Sequence, residues 1–179
     1  MSELVTHHTT VASLAARQPS GPAFDIVLLF HVTFALFGTA AMVVSAVAAL
    51  WTVTADPSVA LATALRRYYS PGVNWAGRTL YAVPILGVAL LAMSGGAYSL
   101  SDMWVRLGIG LWLASVIGAE SVLWPAERRI QSLIRSPGSG LSDEDRYREL
   151  RKAAWITAVT SIVIVVALLS AGVIMVAQP

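Results

Sequence analysis

Three ionisable side chains stand out within or at the edge of apolar stretches, and they are the residues best placed to do chemistry. Arg78 opens the second stretch, Glu120 lies near the end of the third, and His31 lies early in the first. Charged groups at membrane depth are costly and usually face polar partners. A carboxylate beside a guanidinium can relay protons or ions, and an imidazole can ligate a metal or a haem iron.

Arg78 and Glu120 are predicted to lie at similar depth, because the chain between them turns back at residues 99–102. We therefore predict a polar intramembrane pair of Arg78 and Glu120, with Tyr81 close by. One interpretation is a structural clasp whose arginine reaches toward the interface. The other interpretation is a proton or ion relay.

His31 is the single histidine inside an apolar stretch. Counting depth through neighbouring helices places it near Met93, Ser94 and Arg106. A neutral imidazole bonded to a serine or to a backbone carbonyl is one interpretation. The alternative is ligation of haem b by His31 with Met93, or by His31 from two copies, with Arg106 facing a propionate. The identity of any metal is left open.

Catalytic signatures are missing from the sequence. It has no nucleophile–base pair, phosphate-binding loop or zinc-ligand spacing. It also has no cysteine, which excludes disulfides, thiolate metal sites, iron–sulfur clusters and cysteine nucleophiles. These features favour a protein that is not an enzyme, and we expect no nucleic-acid partner.

Composition indicates which elements position these side chains. Of 179 residues, 56% are hydrophobic and 12% charged, whereas soluble domains carry about 25% charged residues. Four stretches are long enough to cross a hydrocarbon core of about 30 Å as helices, which is the form that satisfies the backbone in lipid. We predict an all-α integral membrane four-helix bundle with up-down topology, following a flexible tail over residues 1–25. The spans are 26–51, 78–98, 103–124 and 153–176.

The polar connections suggest further elements and an orientation. Residues 59–69 suit a short interfacial helix, and Ser142-x-x-Asp145 suits a capping box that opens an extension of the fourth helix. Basic residues concentrate after the first and third spans, which places those connections in the cytoplasm and both termini outside. We predict a multi-pass protein of the bacterial cytoplasmic (inner) membrane. The basic residues after the third span are Arg128, Arg129, Arg135, Arg146, Arg148, Arg151 and Lys152.

A set of short motifs resembles a known family. The motifs are His31 with Gly38, Arg78 opening the second span, Gly95-Gly96 and Ser99-Leu100 closing it, and Pro125 with Arg128-Arg129 after the third span. Together they resemble the small, uncharacterised bacterial integral-membrane proteins similar to the membrane domain of copper-resistance protein D. The resemblance covers residues 26–176. It implies a four-helix membrane bundle in which His31 has a metal or haem role.

These observations lead to two main hypotheses of function. The first is a small integral-membrane subunit or accessory protein of a larger membrane complex, such as a respiratory one. Its partners would be the lipid bilayer and either other membrane subunits or a second copy of the chain. The alternative is a haem- or metal-binding redox or transport protein, with His31, Met93 and Arg106 around the cofactor and Arg78 and Glu120 on a polar path. An enzyme acting on lipids is a third hypothesis.

Overall fold

The computed structural model describes residues 19, 21–54, 68–69, 74–135 and 142–177, and this part of the chain contains helices and no strands. Within these described residues, four helices are long and apolar enough to cross a membrane. The prediction of an all-α chain with four such helices is confirmed. The helices are α1 (Pro22–Thr54), α2 (Trp75–Met93), α3 (Met103–Arg135) and α4 (Asp143–Ala177).

Outward-facing side chains on these helices are apolar. Leu36 is 65% exposed, Ile85 71% and Val163 62%. Apolar residues of this size would be costly in water, and their exposure on every turn fits a surface covered by lipid.

The helix ends differ from the predicted spans at several points. α1 begins at Pro22, since proline is favoured in the first turn, where its missing N–H has no intrahelical partner. α2 ends at Met93 instead of residue 98. Gly95 and Gly96 have φ values of 60° and 87°, a left-handed conformation that stops a helix. Residues 1–18 of the predicted tail lie outside the described residues, as does the interfacial helix at 59–69 except for Tyr68 and Tyr69.

The N-terminus of α4 has the predicted capping contacts. The backbone N–H of Asp145 donates to Ser142 Oγ at 3.1 Å, and that hydroxyl donates to Asp145 Oδ2 at 2.7 Å. From there α4 continues without a break through Lys152 to Ala177. The extension and the fourth span are therefore one helix.

α2 starts irregularly and is tied to α3 by an indole. A 3₁₀ turn, Thr79–Tyr81, precedes its regular part. Pro84 lacks an N–H, so the carbonyl of Leu80 loses its helical donor. Trp112 Nε1 on α3 supplies a donor to that oxygen at 3.0 Å. The carbonyl that Pro84 leaves without its helical donor thus accepts a hydrogen bond from α3.

α1 and α4 form the closest packed pair, along faces of small residues. The buried positions of α1 include Gly38, Met42, Ser45, Ala49 and Thr52, which alternate spacings of four and three. Those of α4 follow the same alternation, which gives an interhelical seam. Small side chains let helix backbones approach closely. The α4 positions are Leu150, Ala154, Thr157, Ser161, Ile164 and Ala171.

The remaining helices pack around that pair. α2 lies against α1, where a Cβ on Gly38 would lie 2.6 Å from Leu80 Cγ and one on Gly87 would lie 3.4 Å from His31 Cε1. α3 lies against α4, where a Cβ on Gly118 would lie 3.9 Å from Ile164 Cδ1. α2 and α3, which the sequence predicts as the organising hairpin, approach each other less closely and meet through long side chains.

Candidate functional site

Two apolar clusters lie at different levels of the helix bundle, and polar residues lie between them along three helices. The first cluster is Ala48, Tyr69, Ile130, Leu133, Leu150, Ala153 and Ala154. The second is Met42, Leu80, Ala119, Leu123, Trp124 and Ile164. Between these levels the helices bury Ser45 on α1, Glu127 on α3, and Thr157 and Ser161 on α4. We refer to these four residues as the polar layer.

Glu127 is the ionisable member of the polar layer and is only 6% exposed. Ser45 Oγ donates to Glu127 Oε1 at 2.5 Å. The Asn74 side chain also lies beside Glu127, and its Oδ1 accepts from the N–H of Gly77 at 3.1 Å, which caps the start of α2. One carboxyl thus joins α1, α2 and α3 at the same level of the bundle.

Glu127 has only neutral partners in the described part of the chain. Ion pairs there join Arg129 to Glu149, Arg146 to Asp143 and Arg148 to Asp145, and none includes Glu127. A buried carboxylate without a positive partner is costly, so this arrangement favours a group that can become neutral.

Two tyrosines that precede α2 adjoin the polar layer. The pKa of the Tyr68 hydroxyl is raised to about 12, mainly by burial. The neighbouring Ser45 side chain lowers this pKa, and a negative charge on Glu127 raises it. Burial and the same charge also raise the pKa of Tyr69. The Tyr69 hydroxyl is buried, faces Thr52 and has no hydrogen bond of ordinary geometry. Both tyrosines are therefore neutral donors beside Glu127.

The α4 side of the polar layer carries hydroxyls with no bonding partner in the described residues. Thr157 and Ser161 are both fully buried, and their oxygen atoms make no hydrogen bond. Other helical hydroxyls in this protein donate to the carbonyl four residues earlier, which is the usual way to satisfy them. Examples are Thr39 to Ala35, Thr52 to Ala48, Thr54 to Leu50 and Ser115 to Leu111.

A π-helical turn in α3, Ala119–Leu123, directs Glu127 inward. Before it, buried positions occur at Val105, Gly108, Ser115 and Ala119. In a regular α-helix Glu127, eight residues after Ala119, would lie about 80° away from it, at the side of the buried face. A π turn contains one residue more than an α turn, which rotates the following residues back by about 100°. The shift brings Glu127 to the interior.

The predicted residues Arg78 and Glu120 lie in a second cluster with two aromatic rings. Tyr81 donates its hydroxyl proton to Glu120 Oε1. Arg78 lies over the Trp124 ring, 5.0 Å from the centroid, and the Tyr81 and Trp124 centroids are 6.2 Å apart. No ion pair joins Arg78 to Glu120 in the described residues, so each charge has an aromatic neighbour as its closest described partner.

His31 is half-buried on α1 and faces α2. Its Nδ1 lies 3.0 Å from the Val83 carbonyl oxygen, and Gly87 leaves room for the ring. This is the carbonyl-bonded histidine of the first interpretation. Met93 lies about 9 Å further along α2 than Gly87, is 40% exposed, and Arg106 is exposed on α3. The contacts that the structure describes for His31 do not include either residue, so haem ligation by this set stays a prediction.

Glu127, Ser45 and Tyr69 were missed as site residues by reasoning from sequence. Glu127 follows Trp124 and Pro125 in a stretch that looks polar, beyond residue 124 where the third span is predicted to end. A usable signal was present, because Ile130 and Leu133 follow Glu127 at spacings of three and six. That pattern places the glutamate on the apolar face of an amphipathic helix end.

The arrangement of the described residues contains no group of three or more metal-ligating histidine, cysteine, aspartate or glutamate side chains. Comparison of the chain with protein-family models, with curated proteins and with solved structures finds no match. The resemblance to proteins similar to the membrane domain of copper-resistance protein D therefore stays a prediction.

Proposed function

We propose that this chain is a small integral-membrane subunit or accessory protein of a larger membrane complex, with respiratory assemblies as one class. The observation that supports this proposal is the exposed side chain of Glu120 on the outer surface of α3. Glu120 is the single charged residue in the stretch 107–126 of α3 and lies next to exposed Ile117 and Val122.

An exposed carboxyl at membrane depth is unfavourable in lipid, where charged groups normally face protein or water. Tyr81 provides one hydrogen bond, which leaves the remaining acceptor positions of Glu120 without a described partner. A neighbouring membrane helix with a polar or basic side chain would satisfy them. We therefore propose that the partner contacts the surface around Glu120, where α2 and α3 are only loosely packed.

The proposal includes a topology and a location. Gly38 lies against Leu80, and His31 lies against Gly87. Residue numbers therefore fall along α1 as they rise along α2, which means that the two helices are antiparallel. On α3 and α4, Gly108 lies against Met175 and Gly118 against Ile164, so these two helices are antiparallel as well. Both pairs support an up-down bundle. The clustering of basic residues supports cytoplasmic connections after α1 and α3, with both termini outside the bacterial inner membrane. The interfacial helix at residues 59–69 belongs to the same proposal.

Purification at native expression levels in mild detergent tests the subunit role. We expect a membrane protein to co-purify in fixed ratio with the tagged wild-type chain and to be lost from the Glu120→Leu variant. Val163→Ala, on the exposed face of α4, is the matched control and should retain the partner.

A chain that purifies alone from native membranes would contradict the proposal, as would equal recovery of the partner with Glu120→Leu. An absorption spectrum of the same sample checks the haem hypothesis. A Soret band that is lost on His31→Ala would replace the subunit role with a redox role.

A further inference from the structure

We propose that Glu127 is a proton-binding site, at which a neutral carboxylic acid is held inside the polar layer. The site consists of the Glu127 carboxyl, the hydroxyls of Ser45, Thr157 and Ser161, and the neighbouring Asn74 amide. Uptake adds one proton from water to a carboxylate oxygen, and release returns that proton to water.

Burial of Glu127 disfavours an ionised carboxylate. Ser45, Thr157 and Ser161 are fully buried and Glu127 is 94% buried, so this layer has little access to solvent. Ionised carboxylates in such surroundings need a positive partner or a large set of donors. Among the described residues, the Ser45 hydroxyl is the hydrogen-bond donor to Glu127, and the neighbouring Asn74 amide is also neutral.

The hydroxyls of Thr157 and Ser161 also favour a protonated Glu127. Thr157 and Ser161 lie one helical turn apart on α4, at the level of Ser45, and neither has a hydrogen bond in the described part of the chain. An ionised carboxylate only accepts hydrogen bonds, whereas a protonated one also donates. A proton on Glu127 therefore gives the layer one more donor for these acceptor oxygens.

Among the described residues, the groups that face Glu127 carry no positive charge. α1 contributes Ser45, the segment before α2 contributes the hydroxyls of Tyr68 and Tyr69, and Asn74 directly precedes α2. α4 contributes alanines and hydroxyls at this level. Its charged residues before this level include Arg151 and Lys152, which are exposed, and Glu149, which pairs with Arg129. A metal cation is a weaker explanation, because the described residues hold no cluster of three metal-ligating side chains.

Infrared spectroscopy of the full-length protein in detergent micelles tests this inference through the carbonyl stretch of a protonated carboxyl. At neutral pH we expect such a band in the wild type and in Glu120→Gln, and its loss in Glu127→Gln. Glu120 is the matched control because it lies seven residues away on the same helix and is exposed. Absence of the band from the wild type, or its persistence in Glu127→Gln, would overturn the proposal.

Two further measurements keep the test decisive. Ser45→Ala removes the hydroxyl bonded to Glu127, so the carbonyl band should move to higher frequency; an unmoved band would contradict the site even if Glu127→Gln does not fold. Replacing choline chloride with sodium chloride should leave the band unchanged. A band abolished by sodium would show that a metal cation occupies the site and would also overturn the proposal. Both readouts use the isolated chain, so they succeed or fail independently of the subunit role.

Discussion

Glu120 and Glu127 are the same residue type on the same helix, seven positions apart, yet they have opposite surroundings. Glu120 is exposed and bonded to Tyr81, whereas Glu127 is buried and bonded to Ser45. In a regular α-helix, seven residues turn about 700°, which returns a side chain to within about 20° of its starting direction. Both carboxyls would then lie on one face.

The π turn between them separates the two environments. Its extra residue rotates the following part of α3 by about 100° relative to regular continuation. Glu120 thus remains on the outer surface, and Glu127 turns into the layer formed with α1 and α4. One extra residue in a helix therefore decides whether a carboxyl lies on the outer surface or among buried hydroxyls.

The largest expected effect is the difference between truncating the two carboxyls. Glu127→Ala should lower the free energy of unfolding by about 3 kcal/mol, because it leaves a cavity and strands Ser45 and Asn74 without their acceptor. Glu120→Ala should change it by less than about 0.5 kcal/mol, as at other exposed sites. Unfolding in mixed micelles measures both. Equal losses would mean that burial does not distinguish the two carboxyls.

A deletion tests whether the π turn accounts for the difference. Removing the exposed Ser121 takes out the extra residue, so Leu123, Glu127 and Ile130 keep their buried positions. We expect the free energy of unfolding to fall by less than about 1 kcal/mol. Removing exposed Ala114 instead displaces Ser115 and Ala119 from the interior and should cost about 2 kcal/mol.

Thermal unfolding of both deletion variants in detergent measures this contrast. A Ser121 deletion that is as damaging as the Ala114 deletion would show that the π turn is not a single inserted residue in an otherwise regular helix.

Loss of the hydroxyl that bonds each carboxyl should lower the free energy of unfolding more at Glu127 than at Glu120. Ser45→Ala should cost about 1 kcal/mol, since its buried bond to Glu127 is lost and water cannot replace it. Tyr81→Phe should lower it by less, because exposed Glu120 lies one turn from the predicted end of the third span, where water at the micelle surface can replace the lost bond. The same unfolding assay gives both values, and a larger loss for Tyr81→Phe would contradict the ranking.

The smallest effect is expected at alkaline pH. The pKa of Tyr68 is raised from 10.0 to about 12, so its neutral form is favoured by folding. The corresponding stability is present below pH 10 and is lost as the pH rises toward 12. Tyr68→Phe should weaken this alkaline decline and leave the slope near pH 7 unchanged. Unfolding midpoints measured between pH 7 and 12 test this sign.

Much of the fold could be predicted from local pattern. Length and hydropathy located four membrane-spanning helices, and Ser142 with Asp145 located the start of α4, because both depend on residues close in sequence. The site was only partly predictable. Arg78, Tyr81 and Glu120 were expected near one another, and the structure gathers them with Trp124. The inward direction of Glu127 was missed, because the stretch after Pro125 looks polar and only the spacing of Ile130 and Leu133 marks its apolar face.

Composition and chain order by themselves determined that this protein forms apolar helices of membrane-crossing length, since a backbone in lipid has no other way to satisfy its polar groups. The tertiary structure alone decided which helices pack most closely and which carboxyl is buried. Those outcomes depend on contacts between residues far apart in the chain, such as Ser45 with Glu127, and on a single extra residue in α3 that no local pattern marks.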